Sequence, residues 1–541
     1  MRIQLRQGVR NALALTLTIS TVLVVPAATA APATATTRGG TAGGTATGVV
    51  RTETGPVRGT GSGDVDSFLG IPYAQAPVGD LRWQPPRPAE SWSGVRETVA
   101  YGNRCPARAS TNGPRSETED CLYLNVQRPA TAHRGQRLPV YVWIHGGGLL
   151  NGGGDQHDGE LIVSRTGVVV VTLNYRLGMF GFLAHPGLTA QAGQSGNYGL
   201  LDQQAALWWV QRNIAAFGGD PRRVTIGGES AGGFSVCAHL SAPGSRGTFS
   251  RAMIQSGSCV SQPLAEAEAT GVAVARSVGC LDETTAVACL RQTSSAALLD
   301  ATPAASVRFV REVPELPLDP AVAVSTGRFA RVPLVIGANR DEGRTFALGL
   351  IGWDEEQVTA WIRATFPDRA EAVLAAYPWP ADADTFTPAY LAGAIMTDSG
   401  MIAGIGGCAT RELTATFARH TRTFAYEFGH RTGPGLAPEP AGYVWGAGHA
   451  AELAYLWPSF DNGTPIAPTF DAAERQLAAD LVDAWGQFVR TGRPGAAGST
   501  RWPDVATGDA VMDLRAGGQS VVVSDAGLAS THRCEIWAPA A

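Results

Sequence analysis

Short apolar runs rich in β-branched residues recur along the chain, separated by longer and more polar segments. Six of these runs lie at residues 139–144, 168–173, 224–227, 252–254, 333–336 and 423–426. Near-continuous apolar runs of this length are typical of strands that are covered on both faces. Segments between them, such as residues 202–213, place apolar side chains three and four positions apart and predict helices. This alternation predicts an α/β fold with a large, mostly parallel central sheet flanked by helices.

The first thirty residues have the three-part pattern of a secretory signal peptide. Arginines precede an apolar stretch at residues 12–26, and a small-residue Ala-Thr-Ala segment follows it. We therefore predict a signal peptide over residues 1–30, cleavage after Ala30 and a secreted protein. The apolar stretch is short for a span of about 20 residues, so no stable membrane anchor is expected after cleavage. Residues 31–47, rich in alanine, threonine and glycine, predict a flexible spacer before a single folded domain at residues 48–541.

Composition and charge exclude some classes of partner. Of the 541 residues, 44% are hydrophobic and 16% are charged, which is enough apolar material for a large core. The formal net charge is −5 and no run of basic residues occurs, so nucleic acid is not an expected partner. Eight cysteines fit an oxidising compartment, but their spacing alone does not select one set of pairs.

The first candidate for chemistry is a glycine–serine motif directly after a predicted strand. Gly-Glu-Ser-Ala-Gly at residues 228–232 follows the run at 224–227 and precedes a stretch compatible with a helix. Glycines two positions before and after a serine permit a sharp, strained strand-to-helix turn that exposes the hydroxyl. The motif thus predicts Ser230 as a nucleophile, although a turn of small residues without catalytic function also matches it.

A glycine loop, His-Gly-Gly-Gly at residues 145–148, follows the predicted strand at 139–144. Acyl transfer places negative charge on the former carbonyl oxygen, and backbone N–H groups fixed in advance stabilise that charge. Lipase-type enzymes keep such a loop after a strand and before the nucleophile. The alternative is a merely flexible loop, but the position favours an oxyanion-binding role.

A catalytic serine needs a base, and the base needs a carboxylate that orients it. In α/β-hydrolases the acid and then the histidine follow the serine along the chain. The histidines well beyond Ser230 are His420, His430, His449 and His532. His449 lies in a glycine-rich loop, which favours it over the other three. Asp341 and Glu342 both follow the strand at 333–336, and the residues themselves do not choose between them.

Several segments together resemble the type-B carboxylesterase and cholinesterase family, from about Gly48 to Trp537. Besides the two glycine motifs, the matching segments are residues 68–74, 119–125, 174–176, 178–183, 197–203, 217–221 and 341–343. The resemblance implies an α/β-hydrolase fold with insertions around an active-site gorge. It also implies a serine carboxylic-ester hydrolase that requires no metal and no organic cofactor and acts on a small-molecule ester.

The resemblance also implies individual roles, which it carries over by position. The implied catalytic residues are the nucleophile Ser230, the acid Glu342 and the base His449. The implied oxyanion donors are the backbone N–H groups of Gly147, Gly148 and Ala231. The implied disulfides are Cys105–Cys121, Cys280–Cys289 and Cys408–Cys534, which leave Cys237 and Cys259 over. Cys237 is then expected to be a small buried core residue.

The chain also departs from cholinesterases. The short loop between Cys105 and Cys121 contains no tryptophan, whereas cholinesterases bind a quaternary ammonium with a tryptophan there. A choline ester is therefore not the favoured substrate. A lipase or an amidase remains an alternative on the same site. A non-catalytic binding protein would lack a member of the triad or of the oxyanion hole, and the sequence contains them all.

Overall fold

The computed structural model describes residues 45–303, 307–495, 502–508 and 510–537. The predicted signal peptide and the predicted spacer before Thr45 lie outside the described residues. Thr45 and Ala46 pair with a neighbouring strand, so regular structure begins before the predicted boundary at Gly48. Within the described ranges, no helix combines the length and the hydrophobicity needed to cross a membrane.

The strands of the described part are short to medium in length. They are β1 (Thr45–Ala46), β2 (Val50–Arg51), β3 (Pro56–Arg58), β4 (Thr60–Ser62), β5 (Val65–Pro72), β6 (Arg96–Glu97), β7 (Tyr123–Pro129), β8 (Leu138–Ile144), β9 (Val169–Leu173), β10 (Gly219–Glu229), β11 (Arg251–Gln255), β12 (Gln262–Pro263), β13 (Val310–Arg311), β14 (Leu334–Asn339), β15 (Thr423–Phe428), β16 (Ala510–Leu514) and β17 (Val521–Ser524).

The helices lie mostly between these strands. They are α1 (Glu160–Thr166), α2 (Gly178–Phe182), α3 (Pro186–Ala192), α4 (Tyr198–Asn213), α5 (Ala231–Ser241), α6 (Leu264–Ser277), α7 (Ala286–Gln292), α8 (Ser295–Ala301), α9 (Pro320–Ser325), α10 (Glu355–Thr365), α11 (Ala370–Ala376), α12 (Thr387–Ser399), α13 (Gly407–Ala418), α14 (Leu453–Leu456), α15 (Ala472–Thr491), α16 (Asp525–Thr531) and α17 (Cys534–Trp537).

One large sheet organises the molecule, in the order β1-β4-β5-β7-β9-β8-β10-β11-β14-β15-β16-β17. The strands from β9 to β16 in this order pair in parallel, and the strands at both edges pair antiparallel. All six predicted apolar runs are strands of this sheet. The predicted α/β architecture with a mostly parallel central sheet is therefore confirmed.

Strand β8 shows why these runs are almost continuously apolar. Its Val140, Val142 and Ile144 belong to one hydrophobic core, whereas Tyr141 and Trp143 belong to another. Successive side chains of a strand point to opposite faces of the sheet. Both faces of β8 are therefore covered, and no position along it favours a polar side chain.

Four disulfides use all eight cysteines of the chain. They join Cys105 to Cys121, Cys237 to Cys259, Cys280 to Cys289 and Cys408 to Cys534. The sequence left Cys237 and Cys259 without partners, but the structure joins them to each other. The reason is tertiary, since Cys237 lies on α5 and Cys259 follows β11, on which α5 packs.

Candidate active site

Ser230 occupies a strained turn between β10 and α5. Its backbone has φ 55° and ψ −121°, a conformation that side chains other than glycine rarely adopt. Glycine is required beside it, because a Cβ atom on Gly232 would lie 2.0 Å from the carbonyl oxygen of Ile144. The N–H of Ser230 donates to the carbonyl oxygen of Gln255 at 3.0 Å, which holds the turn against β11.

The glycine loop after β8 lies directly beside this turn. A Cβ atom on Gly146 would lie 3.2 Å from the Cβ of Ser230. Gly147 and Gly148 have φ values of 98° and 65°, which glycine adopts without strain. In the described part of the chain, neither of their N–H groups has an acceptor. Ala231 is the first residue of α5, so its N–H also has no partner in a preceding turn.

Glu342, and not Asp341, contacts the imidazole of His449. Atom Nδ1 of His449 lies 2.6 Å from Oε2 of Glu342. The other carboxylate oxygen of Glu342 accepts hydrogen bonds from the Ser256 hydroxyl at 2.6 Å and from the Asn339 N–H at 2.7 Å. The Glu342 side chain is 1% exposed, so these donors replace the water that a carboxylate would otherwise bind.

Asp341 points away from the imidazole and holds the loop that carries it. Its carboxylate forms a bidentate ion pair with the Arg431 guanidinium, with both N–O distances 2.8 Å. It also accepts a hydrogen bond from the N–H of Ala447 at 3.1 Å. Its own N–H donates to the carbonyl oxygen of Ala447 at 2.8 Å. The two neighbouring acids thus fix different parts of one loop, since Ala447 lies two positions before His449.

The three other candidate histidines have different partners. His430 lies 3.3 Å from a carboxylate oxygen of Glu474, and His420 lies 3.2 Å from the carbonyl oxygen of Ser325. His532 lies between two carboxylates near the C-terminus. The structure therefore brings His449, and none of these three, to the acid that follows β14.

Sequence reasoning did not single out Glu229 and Ser256. Oε1 of Glu229 lies 3.2 Å from Nε2 of His449, within ion-pair distance, although the geometry is not that of a hydrogen bond. Glu229 occupies a variable position of the serine motif, which carries no signal of its own. Ser256 directly follows β11, and its position at the carboxyl end of a parallel strand was a signal that could have found it.

The carboxylates around His449 change its proton affinity. Burial by itself lowers the pKa of His449, but the charges of Glu229 and Glu342 outweigh burial and raise the pKa to about 9. Burial raises the pKa of Glu229 to about 8, opposed by the attraction of His449. The cluster therefore retains a proton more strongly than an isolated histidine does.

Every group of this cluster comes from the carboxyl end of a neighbouring parallel strand or from a loop after it. The glycine loop follows β8, Ser230 follows β10, Ser256 follows β11, and Glu342 follows β14. His449 lies on the long connection after β15. This edge is where open α/β sheets form their sites. A hydroxyl, an imidazole–carboxylate pair and free N–H groups are the parts that acyl transfer uses.

Comparison with known proteins agrees with this architecture. The sequence profile of the carboxylesterase family matches residues 46–537. Fumonisin B1 esterase of Sphingopyxis macrogoltabida is 36% identical over 479 residues, which are 84% of each chain. Para-nitrobenzyl esterase of Bacillus subtilis (strain 168) is 33% identical over 473 residues, covering 84% of this chain and 92% of that protein.

A solved structure is also similar to this chain over nearly its whole length. A PNB esterase superposes with a TM-score of 0.74 at 31% sequence identity, covering 90% of this chain and 99% of its own. These matches confirm the family resemblance that the sequence motifs indicated. The chain therefore belongs to the carboxylesterase family and is a carboxylic-ester hydrolase.

Proposed function

We propose that the protein hydrolyses small-molecule carboxylic esters through an acyl-enzyme on the Ser230 hydroxyl. His449 takes the proton of this hydroxyl as its oxygen attacks the carbonyl carbon of the ester, and Glu342 orients the imidazole. The leaving alcohol then takes that proton from His449. Water attacks the acyl-enzyme with the same base, which releases the carboxylic acid and restores the serine.

The proposed oxyanion hole consists of the N–H groups of Gly147, Gly148 and Ala231. These groups border the Ser230 turn, and the fold leaves them without acceptors among the described residues. Donors fixed in this way stabilise the negative carbonyl oxygen without reorganising, and loss of one typically costs about 3 to 4 kcal/mol of barrier lowering.

The contact between His449 and Glu342 is the observation that carries the proposal. With Nδ1 2.6 Å from the carboxylate, the proton of the neutral imidazole resides on Nδ1, and Nε2 is left as the base. Nε2 faces Glu229, the residue directly before Ser230. The imidazole therefore borders the Ser230 turn, where the proposed proton transfer takes place.

The experiment compares Ser230→Ala with Ser164→Ala, a matched variant of an exposed serine on α1. We expect Ser230→Ala to lower kcat on p-nitrophenyl acetate by about 10⁶-fold. We expect Ser164→Ala to retain wild-type kcat. A fluorophosphonate should add its mass to the peptide containing Ser230 in wild type only. Full activity of a folded Ser230→Ala variant would overturn the proposal.

We also propose that the protein is exported and that its first thirty residues are removed. The arginine, apolar and small-residue pattern before Ala30 supports a cleavable signal. The four disulfides support a destination where thiols are oxidised.

The lack of a tryptophan between Cys105 and Cys121 supports an ester without a quaternary ammonium group as substrate.

A further inference from the structure

The five residues that follow Ile254, residues 255–259, lie between α5, which follows the Ser230 turn, and the loop that carries the acid. We call this segment the strap. Residues 255, 257 and 259 of the strap contact the Ser230 turn and α5. The Ser256 hydroxyl donates a hydrogen bond to Glu342, and the Ser258 hydroxyl donates one to the carbonyl oxygen of Ala403. The strap therefore connects two parts of the proposed triad.

Three successive links hold the strap to the Ser230 turn and α5. The carbonyl oxygen of Gln255 accepts the N–H of Ser230 at 3.0 Å. Gly257 packs so closely that a Cβ atom on it would lie 2.7 Å from the Cα of Gly233. The third link is covalent, the disulfide between Cys237 and Cys259.

On its other side the strap holds the acid. Ser256 is fully buried and donates its hydroxyl to Oε1 of Glu342 at 2.6 Å. Its N–H donates to the carbonyl oxygen of Gly337 in β14 at 2.8 Å. Ser256 has φ 45°, a left-handed conformation that persists in a non-glycine residue only where its surroundings enforce it.

We propose that the Cys237–Cys259 disulfide is a positioning element of the active site, which keeps Ser256 on Glu342 by tying the strap to α5. The inference rests on the proposed triad of Ser230, His449 and Glu342. The disulfide fixes the strap three residues after Ser256, where its other links to the Ser230 turn and α5 are one hydrogen bond and one glycine contact. Its loss allows Ser256 to relax from the strained conformation and to release Glu342. The imidazole then loses its fixed orientation, and misplacement by about 1 Å is enough to slow an enzyme about 100-fold.

The first test replaces the disulfide by Cys237→Ala with Cys259→Ala. The matched control is Cys280→Ala with Cys289→Ala, which removes a disulfide between the loop after α6 and α7. We expect the first variant to lose at least about tenfold in kcat with KM within about twofold of wild type, because the groups that act on the bound ester are displaced. We expect the control to keep wild-type kcat per folded molecule, with the folded fraction measured by circular dichroism. Equal kcat values in the two variants would overturn the proposal.

A mutant cycle separates positioning through Ser256 from general destabilisation. If the disulfide acts through Ser256, its removal from a Ser256→Ala protein should lower kcat by no more than about twofold further, since the contact is already absent. A purely structural disulfide would instead multiply its loss with that of Ser256→Ala. If the two losses in kcat multiply, the inference about the disulfide is overturned, but the proposed triad is not affected. Only full activity of Ser230→Ala would overturn the triad itself.

A measurement on the wild-type protein covers the case in which the cysteine variant does not fold. Cys259 is 8% exposed and borders a surface cavity of about 430 Å³ between α9 and α13, which is the route we expect for a reductant. Dithiothreitol supplies two electrons and two protons, becomes a cyclic disulfide and leaves two thiols in the protein. Alkylation and mass spectrometry then report which cysteines are free. We expect activity to fall in proportion to alkylated Cys259, and full activity with Cys259 fully alkylated would overturn the proposal.

Discussion

The imidazole of His449 lies among three glutamates, and their charge sets the pH at which it loses its proton. Glu342 contacts Nδ1, and Glu229 lies near Nε2. Glu452 is fully buried, is held by Gln255 at 3.1 Å, and adds to the negative charge. This charge outweighs burial, so the pKa of His449 is raised to about 9. The proposed base therefore loses its proton at a higher pH than an ordinary histidine does.

At the residue scale we predict a pH profile and its shift. In wild type, kcat/KM should rise with pH up to about pH 9, because the neutral imidazole appears as pH passes its raised pKa. Glu229→Gln removes a negative charge beside Nε2 and should move this rise to lower pH. The exposed control Glu356→Gln should leave it in place. The measurement is kcat/KM for p-nitrophenyl acetate at pH 5 to 10, and an unmoved profile in Glu229→Gln contradicts the prediction.

At the scale of elements, a buried cluster of charged side chains holds the segment between α16 and α17 to the rest of the fold. His532 joins Asp398 of α12 through Nδ1 at 2.6 Å and Glu427 of β15 through Nε2 at 2.5 Å. Burial opposes the charged imidazole, but these two carboxylates raise the pKa of His532 to about 9. Thr397, next to Asp398, accepts the N–H of Gly343 at 2.9 Å. The same helix thus contacts both His532 and the segment that begins with Glu342.

The cluster predicts how stability depends on pH. His532 keeps its proton up to about pH 9 when folded and releases it near pH 6.5 when unfolded. Its contribution of about 3 kcal/mol is therefore complete below pH 6.5 and is lost as pH rises through 9. His532→Gln should lower the unfolding free energy most at pH 6 and least at pH 10. Urea unfolding at both pH values measures this, with His420→Gln as control. A difference from wild type that is larger at pH 10 contradicts the prediction.

At the scale of the whole molecule, covalent links and one sheet hold distant parts of the chain together. The Cys408–Cys534 disulfide joins residues that are 126 positions apart and ties α17 to α13. Closing a long loop stabilises a fold mainly by restricting the unfolded chain, by about 4 to 5 kcal/mol in the chain-entropy treatment. A protein that relies on such links is suited to an oxidising compartment.

We therefore predict the form of the exported protein. When the full chain is produced in a bacterium with a secretion system, the protein in the medium should begin at Ala31 if the proposed cleavage after Ala30 takes place. It should show no reactive thiol under denaturing conditions, because all eight cysteines are paired. Intact mass, N-terminal sequencing and thiol titration provide the measurements. A protein that stays in the cell and begins at Met1 with free thiols contradicts the prediction.

Much of the fold and part of the site could be predicted because the signals are local. A strand covered on both faces needs apolar side chains at nearly every position, so six strands of the sheet were visible as apolar runs. The turn at Ser230 needs glycines at fixed offsets, so it was visible as a motif. Helix α4 begins at Tyr198, earlier than the predicted 202, and its first turn buries Tyr198, Gly199 and Leu200.

What the sequence by itself determined is the class of fold, the serine turn and the glycine loop, because each depends on residues adjacent in the chain. Only the tertiary structure brought Glu342 rather than Asp341 to His449. The Glu342 side chain is oriented by its contact with Ser256, and the Asp341 side chain is oriented by its contact with Arg431. It also joined Cys237 to Cys259. These pairings depend on which strands lie side by side in the sheet, and that order cannot be read from neighbouring residues.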